Sequence, residues 1–322
     1  MKDQYGREIE YMRVSITDRC NLRCKYCMPD GIEKIQMSQM LTYEEIESVC
    51  RQAAKLGIRK LKITGGEPLV RKGCPELIER LKKLDGIEQV TLTTNGILLN
   101  FFLQDLLDAG LDAVNISLDT LNPQKYQYIT GFDGLSAVED VITSCIKAGI
   151  STKVNTVIQK DFNEEEIIPL AQFAFDKKIK LRFIEMMPIG HAERRNSISN
   201  EKVLQKIRTY IPDLEPDGER YGNGPASYYK WPGREGKIGM ISAVHGTFCD
   251  KCNRIRLTSQ GTLKPCLSYE TSIDLKTALR PVRNEEILKK RIMEAINTKP
   301  LHHCFNGDVS KIEKKSMMQI GG

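Results

Sequence analysis

The chain has 322 residues, of which 40% are hydrophobic and 28% are charged. This balance is that of a folded globular protein and excludes a disordered or fibrous chain, and the length allows one large domain with a smaller companion. The formal net charge of +6 does not argue for nucleic acid but is compatible with a polyanionic substrate. Because no apolar stretch has the length of a signal or a membrane span, we expect a cytoplasmic protein without membrane contact.

A strand followed by an amphipathic helix recurs along the first two thirds of the chain. The predicted strands cover residues 12–16, 60–64, 90–94, 113–118, 153–158 and 180–185. The predicted helices cover residues 42–56, 75–84, 99–109, 135–148 and 164–177. This alternation requires a parallel sheet, either open or closed into a barrel. Unusual residues lie just past the strand ends, which favours an incomplete barrel.

The composition changes between residues 211 and 236, where four prolines and five glycines are interleaved. Such a segment predicts a linker or a long excursion. After it we expect a strand at 237–244, a hairpin around 259–261 and helices at 275–279 and 285–297. The predicted organisation is therefore an α/β domain over residues 1–210 and a smaller α+β unit over residues 211–322.

Three cysteines follow the first predicted strand within eight residues, and we call them the first cysteine set: Cys20, Cys24 and Cys27. A structural zinc ion needs four ligands, and no histidine or fourth cysteine is nearby in sequence. An iron–sulfur cube held by three thiolates leaves one iron open to hold a substrate. Spacing alone leaves open both a cluster and a zinc loop completed from elsewhere.

The spacing of this set, with Tyr26 before its last cysteine, resembles the signature of radical S-adenosylmethionine enzymes. The Gly-Gly-Glu-Pro turn at 65–68 resembles a second motif of that superfamily. The resemblance implies an incomplete (β/α)6 TIM-type barrel. It also implies a [4Fe-4S] cluster on the first cysteine set, whose open iron chelates S-adenosylmethionine. The cofactor contacts it implies are Tyr26, Gly66, Ser117 and Met187.

The C-terminal part carries a second cysteine set: Cys249, Cys252 and Cys266. His245 stands four residues before this set, so by spacing alone structural zinc and an iron–sulfur cluster are equally open. Arg254 and Arg256 are two residues apart and would point to one face of a strand. Two guanidinium groups on one face suit a triphosphate, while the alternative is a solvated basic strand.

Residues 17–21, 92–96, 252–257 and 320–322 together resemble the GTP 3′,8-cyclases of molybdenum-cofactor biosynthesis. The resemblance implies a second [4Fe-4S] cluster that binds guanine, with His245 a bystander, and a glycine tail that enters the active site. The residues it implies for GTP binding are Arg13, Lys62, Thr93, Lys153, Arg254 and Arg256. Those it implies for catalysis are Arg13, Arg254, Arg256, Gly321 and Gly322. Lys62 replaces the arginine usual in that family and lacks its bidentate fork.

The activity that this resemblance implies is that of a radical lyase. An external one-electron donor reduces the first cluster, the cofactor yields a 5′-deoxyadenosyl radical, and this radical removes the ribose 3′ hydrogen of GTP. The carbon radical attacks C8 of guanine, and reduction and protonation give (8S)-3′,8-cyclo-7,8-dihydroguanosine 5′-triphosphate. The product would pass to cyclic pyranopterin monophosphate synthase. The oligomeric state is not visible in the sequence, with which a homodimer is compatible.

Two other functions are open. A radical enzyme that modifies a peptide would have more auxiliary cysteines and no use for the paired arginines or the glycine tail. A nucleic-acid-binding module would favour a concentrated basic face with interleaved aromatic residues, but aromatic residues are only 7% of the chain.

We expect the other cysteines, Cys50, Cys74, Cys145 and Cys304, to be buried small residues, and the two histidines before Cys304 to lie on the surface.

Overall fold

The computed structural model describes residues 1–29, 31, 35–192, 196–246, 248–305, 307 and 309–321. Its strands are β1 (Tyr11–Ser15), β2 (Lys60–Thr64), β3 (Gln89–Thr94), β4 (Ala113–Ser117), β5 (Ser151–Ile158), β6 (Lys180–Glu185), β7 (Glu215–Asp217), β8 (Ser227–Lys230), β9 (Lys237–Ile241), β10 (Arg254–Leu257), β11 (Thr262–Lys264) and β12 (Ile273–Asp274). Its α-helices are α1 (Tyr43–Lys55), α2 (Cys74–Lys82), α3 (Leu99–Asp108), α4 (Pro123–Thr130), α5 (Leu135–Lys147), α6 (Ile167–Asp176), α7 (Asn200–Tyr210), α8 (Lys276–Leu279) and α9 (Glu285–Asn297). None of the described helices is long and apolar enough to cross a membrane.

All of these strands join one sheet, in the order β12-β11-β10-β1-β2-β3-β4-β5-β6-β9-β8-β7. The eight strands from β10 to β9 are parallel, and antiparallel strands extend the sheet at both ends. The six central strands follow chain order, as expected for successive right-handed strand–helix units. Side chains from β1 to β6, β9 and β10 line one common cavity, which shows that the sheet curves.

The prediction of an α/β fold with a mostly parallel sheet is confirmed. The structure adds two parallel strands beyond the predicted six, since β9 and β10 from the C-terminal part pair with β6 and β1. The segment predicted as a linker contains β7 and β8, which form an antiparallel pair although prolines and glycines surround them. Helices α4 and α7 were not predicted; each begins at a side-chain cap, Asn122 and Ser199.

One large hydrophobic core runs from Ile9 to Ile296 and draws buried residues from every parallel strand. On the helices these residues recur at helical spacing: Ile46, Val49, Cys50 and Ala53 form the buried stripe of α1. Because this core spans both predicted domains, the parallel sheet is held by residues from the whole chain. The division at residues 210 and 211 stays a prediction.

Arg7 fastens the N-terminal segment to the part of the chain that carries the second cysteine set. Its Nε donates to Asp3 at 2.7 Å, and both side chains are almost fully buried. Its other nitrogens donate to the carbonyl oxygens of Cys249, Pro300 and Leu301 at 2.8–3.0 Å. One guanidinium group therefore satisfies a buried carboxylate and three backbone carbonyls.

We predict that Arg7→Ala lowers the free energy of unfolding by about 3–5 kcal/mol, because the buried carboxylate of Asp3 loses its cationic partner and keeps only backbone amide donors. Urea denaturation monitored by circular dichroism measures this change. The control is Lys290→Ala at an exposed position of α9, where we expect a change within about 0.5 kcal/mol. Equal effects of the two substitutions would contradict the role given to Arg7.

Candidate active site

A cavity of about 150 Å³ lies at the carboxyl ends of β1 to β4. The first cysteine set lines it together with the glycine turn after β2, Asn95 after β3, and Ser117 at the end of β4. All three thiols are partly exposed. The loop that carries them is held by backbone hydrogen bonds from Arg23 and Lys25 to the last turn of α4. The structure therefore places Tyr26, Gly66 and Ser117, three of the four predicted cofactor contacts, around one space.

The glycine turn packs directly against the backbone of the cysteine loop. A Cβ atom at Gly65 would lie 2.6 Å from the carbonyl oxygen of Thr17, and one at Gly66 would lie 2.3 Å from that of Arg19. A Cβ atom essentially never comes this close to another non-bonded heavy atom, so any side chain here would push the two loops apart. Glu67 fixes the turn from behind, where its buried carboxylate accepts hydrogen bonds from Thr94 Oγ1 at 2.8 Å and the Asn95 amide at 2.7 Å.

Tyr26 is held by a residue that the sequence did not reveal. Its hydroxyl donates to Asp119 Oδ2 at 2.7 Å, and the Val157 amide donates to Asp119 Oδ1 at 2.8 Å. Burial raises the pKa of Asp119 to about 6 in spite of these two donors. The sequence does place Asp119 two residues after Ser117, and this proximity to a predicted contact could have indicated its role. Asp119 therefore orients the one aromatic ring within the cysteine loop.

The first cysteine set has the surroundings of cluster ligands. Burial raises the pKa of Cys24 well above its ordinary value, and the neighbouring Asp119, Cys27 and Cys20 raise it further, so the thiols are close enough to interact. Cys20 Sγ accepts a hydrogen bond from the Leu22 amide. Within the described ranges, no group of three His, Cys, Asp or Glu side chains is close enough to hold a single metal ion. Three thiols around a shared space fit a cluster that leaves one iron open.

A row of cations crosses three adjacent strands below this cavity. The parallel register aligns Arg256 on β10 with Arg13 on β1, and Arg13 with Lys62 on β2. Aligned residues of parallel strands point to the same face and lie about 4.8 Å apart. The same face of β3, β4 and β5 carries Thr93 and Lys153, with Asn115 between them.

All of these side chains except that of Arg256 line a second cavity inside the curved sheet, and none of its described lining residues is acidic. Burial lowers the pKa of Lys62 well below its ordinary value, and Arg182, Arg13 and Lys153 lower it further. Burial and the charges of Arg182 and Lys180 likewise lower the pKa of Lys153 to about 8. Such crowding of like charges is costly unless an anion enters. Thr93 lines both cavities and so connects them.

Arg182 on β6 belongs to the same cavity, although the sequence analysis assigned it no role. It is 7% exposed, and its Nη2 donates to Asn115 Oδ1 at 2.8 Å. Arg182 is a charged residue inside a predicted strand, where every second residue points to the same face. That position could have indicated that it faces the cavity. All six predicted GTP contacts converge here: five line the cavity, and Arg256 lies beside Arg13 in register.

The second cysteine set lies near the amino end of β10, where cations surround it. Burial by itself would raise the pKa of Cys252, but Arg254 and the buried Lys299 outweigh it and lower this pKa to about 6. Cys252 and Arg254 also line a larger cavity of about 550 Å³, which shares Asn223, Gly224, Pro225 and Arg254 with the cation-lined cavity. The ring of His245 forms a contact with a carboxylate: its Nδ1 is 3.4 Å from Glu185 Oε1.

The C-terminal tail reaches the cation row. The carbonyl oxygen of Gly321 accepts a hydrogen bond from Arg256 Nη1 at 2.7 Å. Gly321 has φ +81°, and a Cβ atom there would lie 3.2 Å from Ser15 Cβ, so glycine suits both the backbone and the space. Met317 and Met318 line the first cavity. Gly322, the other predicted tail residue, lies outside the described residues.

Two family models match the chain. One, described as the Radical SAM superfamily, matches residues 14–174, and the other, described as Molybdenum Cofactor Synthesis C, matches residues 179–305. GTP 3′,8-cyclases of Clostridium perfringens and Alkaliphilus oremlandii are 42% and 44% identical to it over 323 and 327 residues, covering 100% of both chains in each case. The chain belongs to the GTP 3′,8-cyclase family. It is thus a radical S-adenosylmethionine enzyme of molybdenum-cofactor biosynthesis, which uses S-adenosylmethionine and an iron–sulfur cluster.

Solved structures confirm the fold of this cyclase-family chain. Streptococcus suis SuiB bound to S-adenosylmethionine matches with a TM-score of 0.66 and 16% identity, covering 91% of this chain and 67% of SuiB. Native anSMEcpe with bound AdoMet matches with a TM-score of 0.64 and 17% identity, covering 92% and 82%. At these identities the likeness concerns the fold alone.

Met187 is the predicted cofactor contact that does not line the first cavity. It packs instead against a small apolar cluster of Ile189, Val244, Phe305 and Ile320. Of the other expectations, Cys50, Cys74, Cys145 and Cys304 are buried as predicted. His302 is exposed, but His303 is partly buried, because its segment packs beside the second cysteine set.

We predict that Gly66→Ala weakens S-adenosylmethionine binding about tenfold or more, because the added methyl group separates the glycine turn from the cysteine loop. Equilibrium binding to the reconstituted protein measures the affinity, and circular dichroism verifies the fold. The matched control is Gly218→Ala, where nothing lies within 4 Å of the added Cβ. Wild-type affinity in a folded Gly66→Ala protein would refute the close approach of the two loops.

We predict a pH dependence of stability that Asp119→Asn removes. The folded-state pKa of about 6 lies above the ordinary 3.8, so the contribution is fully present below about pH 4 and is lost as pH rises through 6. The loss amounts to about 3 kcal/mol. Asparagine does not titrate: its Oδ1 can still accept from the Val157 amide, and its Nδ2 can donate to the Tyr26 hydroxyl oxygen. Urea denaturation of both proteins from pH 4 to 7 should show the difference in their unfolding free energies falling by this amount, whereas a constant difference would contradict the prediction.

Proposed function

We propose that this chain converts GTP into (8S)-3′,8-cyclo-7,8-dihydroguanosine 5′-triphosphate with two [4Fe-4S] clusters and S-adenosylmethionine. The observation that carries the proposal is the cation-lined cavity, which has no acidic residue among its described lining and lies between the two cysteine sets. A nucleoside triphosphate is the anionic substrate that the names of the curated relatives reported above specify. The cavity argues for a polyanion, and these names indicate which one.

The first cysteine set would hold the cluster that binds S-adenosylmethionine. When bound there and supplied with one electron, S-adenosylmethionine provides a carbon radical able to remove the ribose 3′ hydrogen. Tyr26 and Ser117 line the space for its nucleoside part, and the Gly65–Gly66 backbone can approach its amino acid part closely. Met187 stays a proposed contact at the edge of this site.

The cation-lined cavity would hold the triphosphate. Three charges lie in one row, on Arg13, Lys62 and Arg256. Two further cations, Lys153 and Arg182, line the same cavity from β5 and β6. Burial and repulsion between neighbouring cations lower the pKa values of Lys62 and Lys153, and a polyanion would relieve the repulsion. Lys62 can supply charge but no bidentate fork, so Arg13 and Arg256 would fix the orientation of the phosphates.

The second cysteine set would hold the cluster that binds guanine. The lowered pKa of Cys252 favours its thiolate, which is the form that ligates iron, whereas burial raises the pKa of Cys249. Arg254 lies two residues after Cys252 and lines both adjoining cavities, so it can contact base and phosphate alike. Gly321, whose carbonyl holds Arg256 in place, and the following Gly322 would assist catalysis by keeping this guanidinium group oriented.

Other parts of the proposal concern partners and organisation. An external one-electron donor reduces the cluster on the first cysteine set, and the product passes to cyclic pyranopterin monophosphate synthase in the cytoplasm. We further propose residues 1–210 and 211–322 as the two units and a homodimer as the assembly. Size-exclusion chromatography with light scattering tests the assembly.

The decisive test is anaerobic reconstitution with iron and sulfide. We predict about eight irons per wild-type chain and about four after alanine replacement of the second cysteine set, because each three-thiolate site holds a four-iron cube. The wild-type protein, given S-adenosylmethionine, dithionite and GTP, should release the cyclic nucleotide, detected by chromatography and mass spectrometry. The variant should release none.

The control is Cys50→Ala, which removes a buried core thiol of α1 and should leave the iron content at about eight. About four irons in both the wild type and the second-set variant, with zinc lost from the variant, would overturn the second cluster. Eight irons without GTP turnover, but with modification of a peptide, would instead favour the peptide-modifying alternative.

A further inference from the structure

Ser268 contacts a thiol of the second cysteine set and is itself buried. Its Oγ lies 3.3 Å from Cys266 Sγ, and Ser268 is only 1% exposed. The same Oγ accepts a hydrogen bond from the Cys304 amide at 3.3 Å. The Ser268 carbonyl accepts two more, from the Glu313 amide at 2.9 Å and from Cys304 Sγ at 3.0 Å. The C-terminal segment therefore holds Ser268 in place at three points.

The direction of the Ser268–Cys266 hydrogen bond follows from the protons available. In the free protein either the hydroxyl or the thiol could donate. A metal-bound thiolate has no proton, so only the hydroxyl can donate once Cys266 is a ligand. The Cys304 amide already occupies one acceptor position of Ser268 Oγ, which leaves its hydrogen free to point at the sulfur.

The three thiols of the set differ in what donates to them. Cys249 receives a hydrogen bond from the His303 amide, and Cys252 receives them from the backbone and guanidinium of Arg254. Arg254 also belongs to the proposed substrate site, and a backbone amide cannot be deleted by substitution. The Ser268 hydroxyl is therefore a donor that one substitution can remove without touching the GTP cavity.

We propose that Ser268 is a positioning residue that donates a hydrogen bond to the Cys266 thiolate and thereby raises the reduction potential of the second cluster. The inference rests on the proposed function, since it requires a cluster on this cysteine set. A hydrogen bond to a ligand sulfur stabilises the reduced cluster more than the oxidised one, because reduction adds negative charge to the sulfurs. Cys304 supports this role through its amide, which orients the hydroxyl.

The test is an anaerobic redox titration followed by electron paramagnetic resonance. It uses the reconstituted full chain with Ser268, with Ser268→Ala and with Ser268→Thr. Alanine replacement of the first cysteine set identifies which signal belongs to the second cluster. We expect Ser268→Ala to shift the reduction equilibrium of the second cluster about threefold to tenfold toward the oxidised form, a potential lowered by about 28 to 59 mV for one electron. Ser268→Thr, which keeps the hydroxyl, should restore most of the wild-type potential.

The matched control is Thr271→Ala, which deletes an exposed hydroxyl three residues further along the same loop and should leave the potential unchanged. About eight irons in every variant with no shift for Ser268→Ala would overturn the inference and leave the second cluster standing. Equal shifts for Ser268→Ala and Ser268→Thr would also overturn it, because they would show a packing effect. About four irons in the wild type would instead overturn the proposed function itself.

Discussion

The parallel pairing of β10 with β1 is the constraint on which the site depends. It joins the two ends of the chain, aligning Arg254 with Tyr11 and Arg256 with Arg13. The second cysteine set thereby lies near the amino end of this strand pair, while the first follows its carboxyl end. At about 3.3 Å per residue, a five-residue strand separates the two ends by roughly 16 Å. A nucleotide between them can contact both, and the cation row occupies the interval.

That row is unfavourable by itself, and the fold tolerates it because the surrounding core is large. Burial and mutual repulsion lower the pKa values of Arg13, Lys62 and Arg256 together. Natural proteins accept such strain at functional sites, where a ligand relieves it. The apolar side chains on the opposite face of the same strands, such as Met12, Val14 and Ile63, are fully buried and supply the stability that the cavity does not.

The sequence predicted the six central strands because alternation of apolar positions is local information. It did not predict that β9 and β10 extend the parallel sheet, because periodicity does not specify a partner from the other end of the chain. Nor did it predict β7 and β8, because the prolines and glycines around these short strands are typical of a linker. For the site, motif spacing located both cysteine sets. The sequence did not indicate roles for Arg182, Asp119 and Ser268, because the role of a single polar residue depends on its tertiary contacts.

The electrostatics of the two cavities differ in a way that suits two different ligands. The first cavity has no charged side chain among its described lining residues, and the carboxyl groups of Glu67 and Asp119 lie directly behind it. S-adenosylmethionine is a sulfonium cation, which such surroundings accept. The second is lined by cations, which would repel a sulfonium but attract a triphosphate. Two similar three-cysteine sets can therefore lie beside cavities of different charge, one suited to a sulfonium cation and the other to a polyanion.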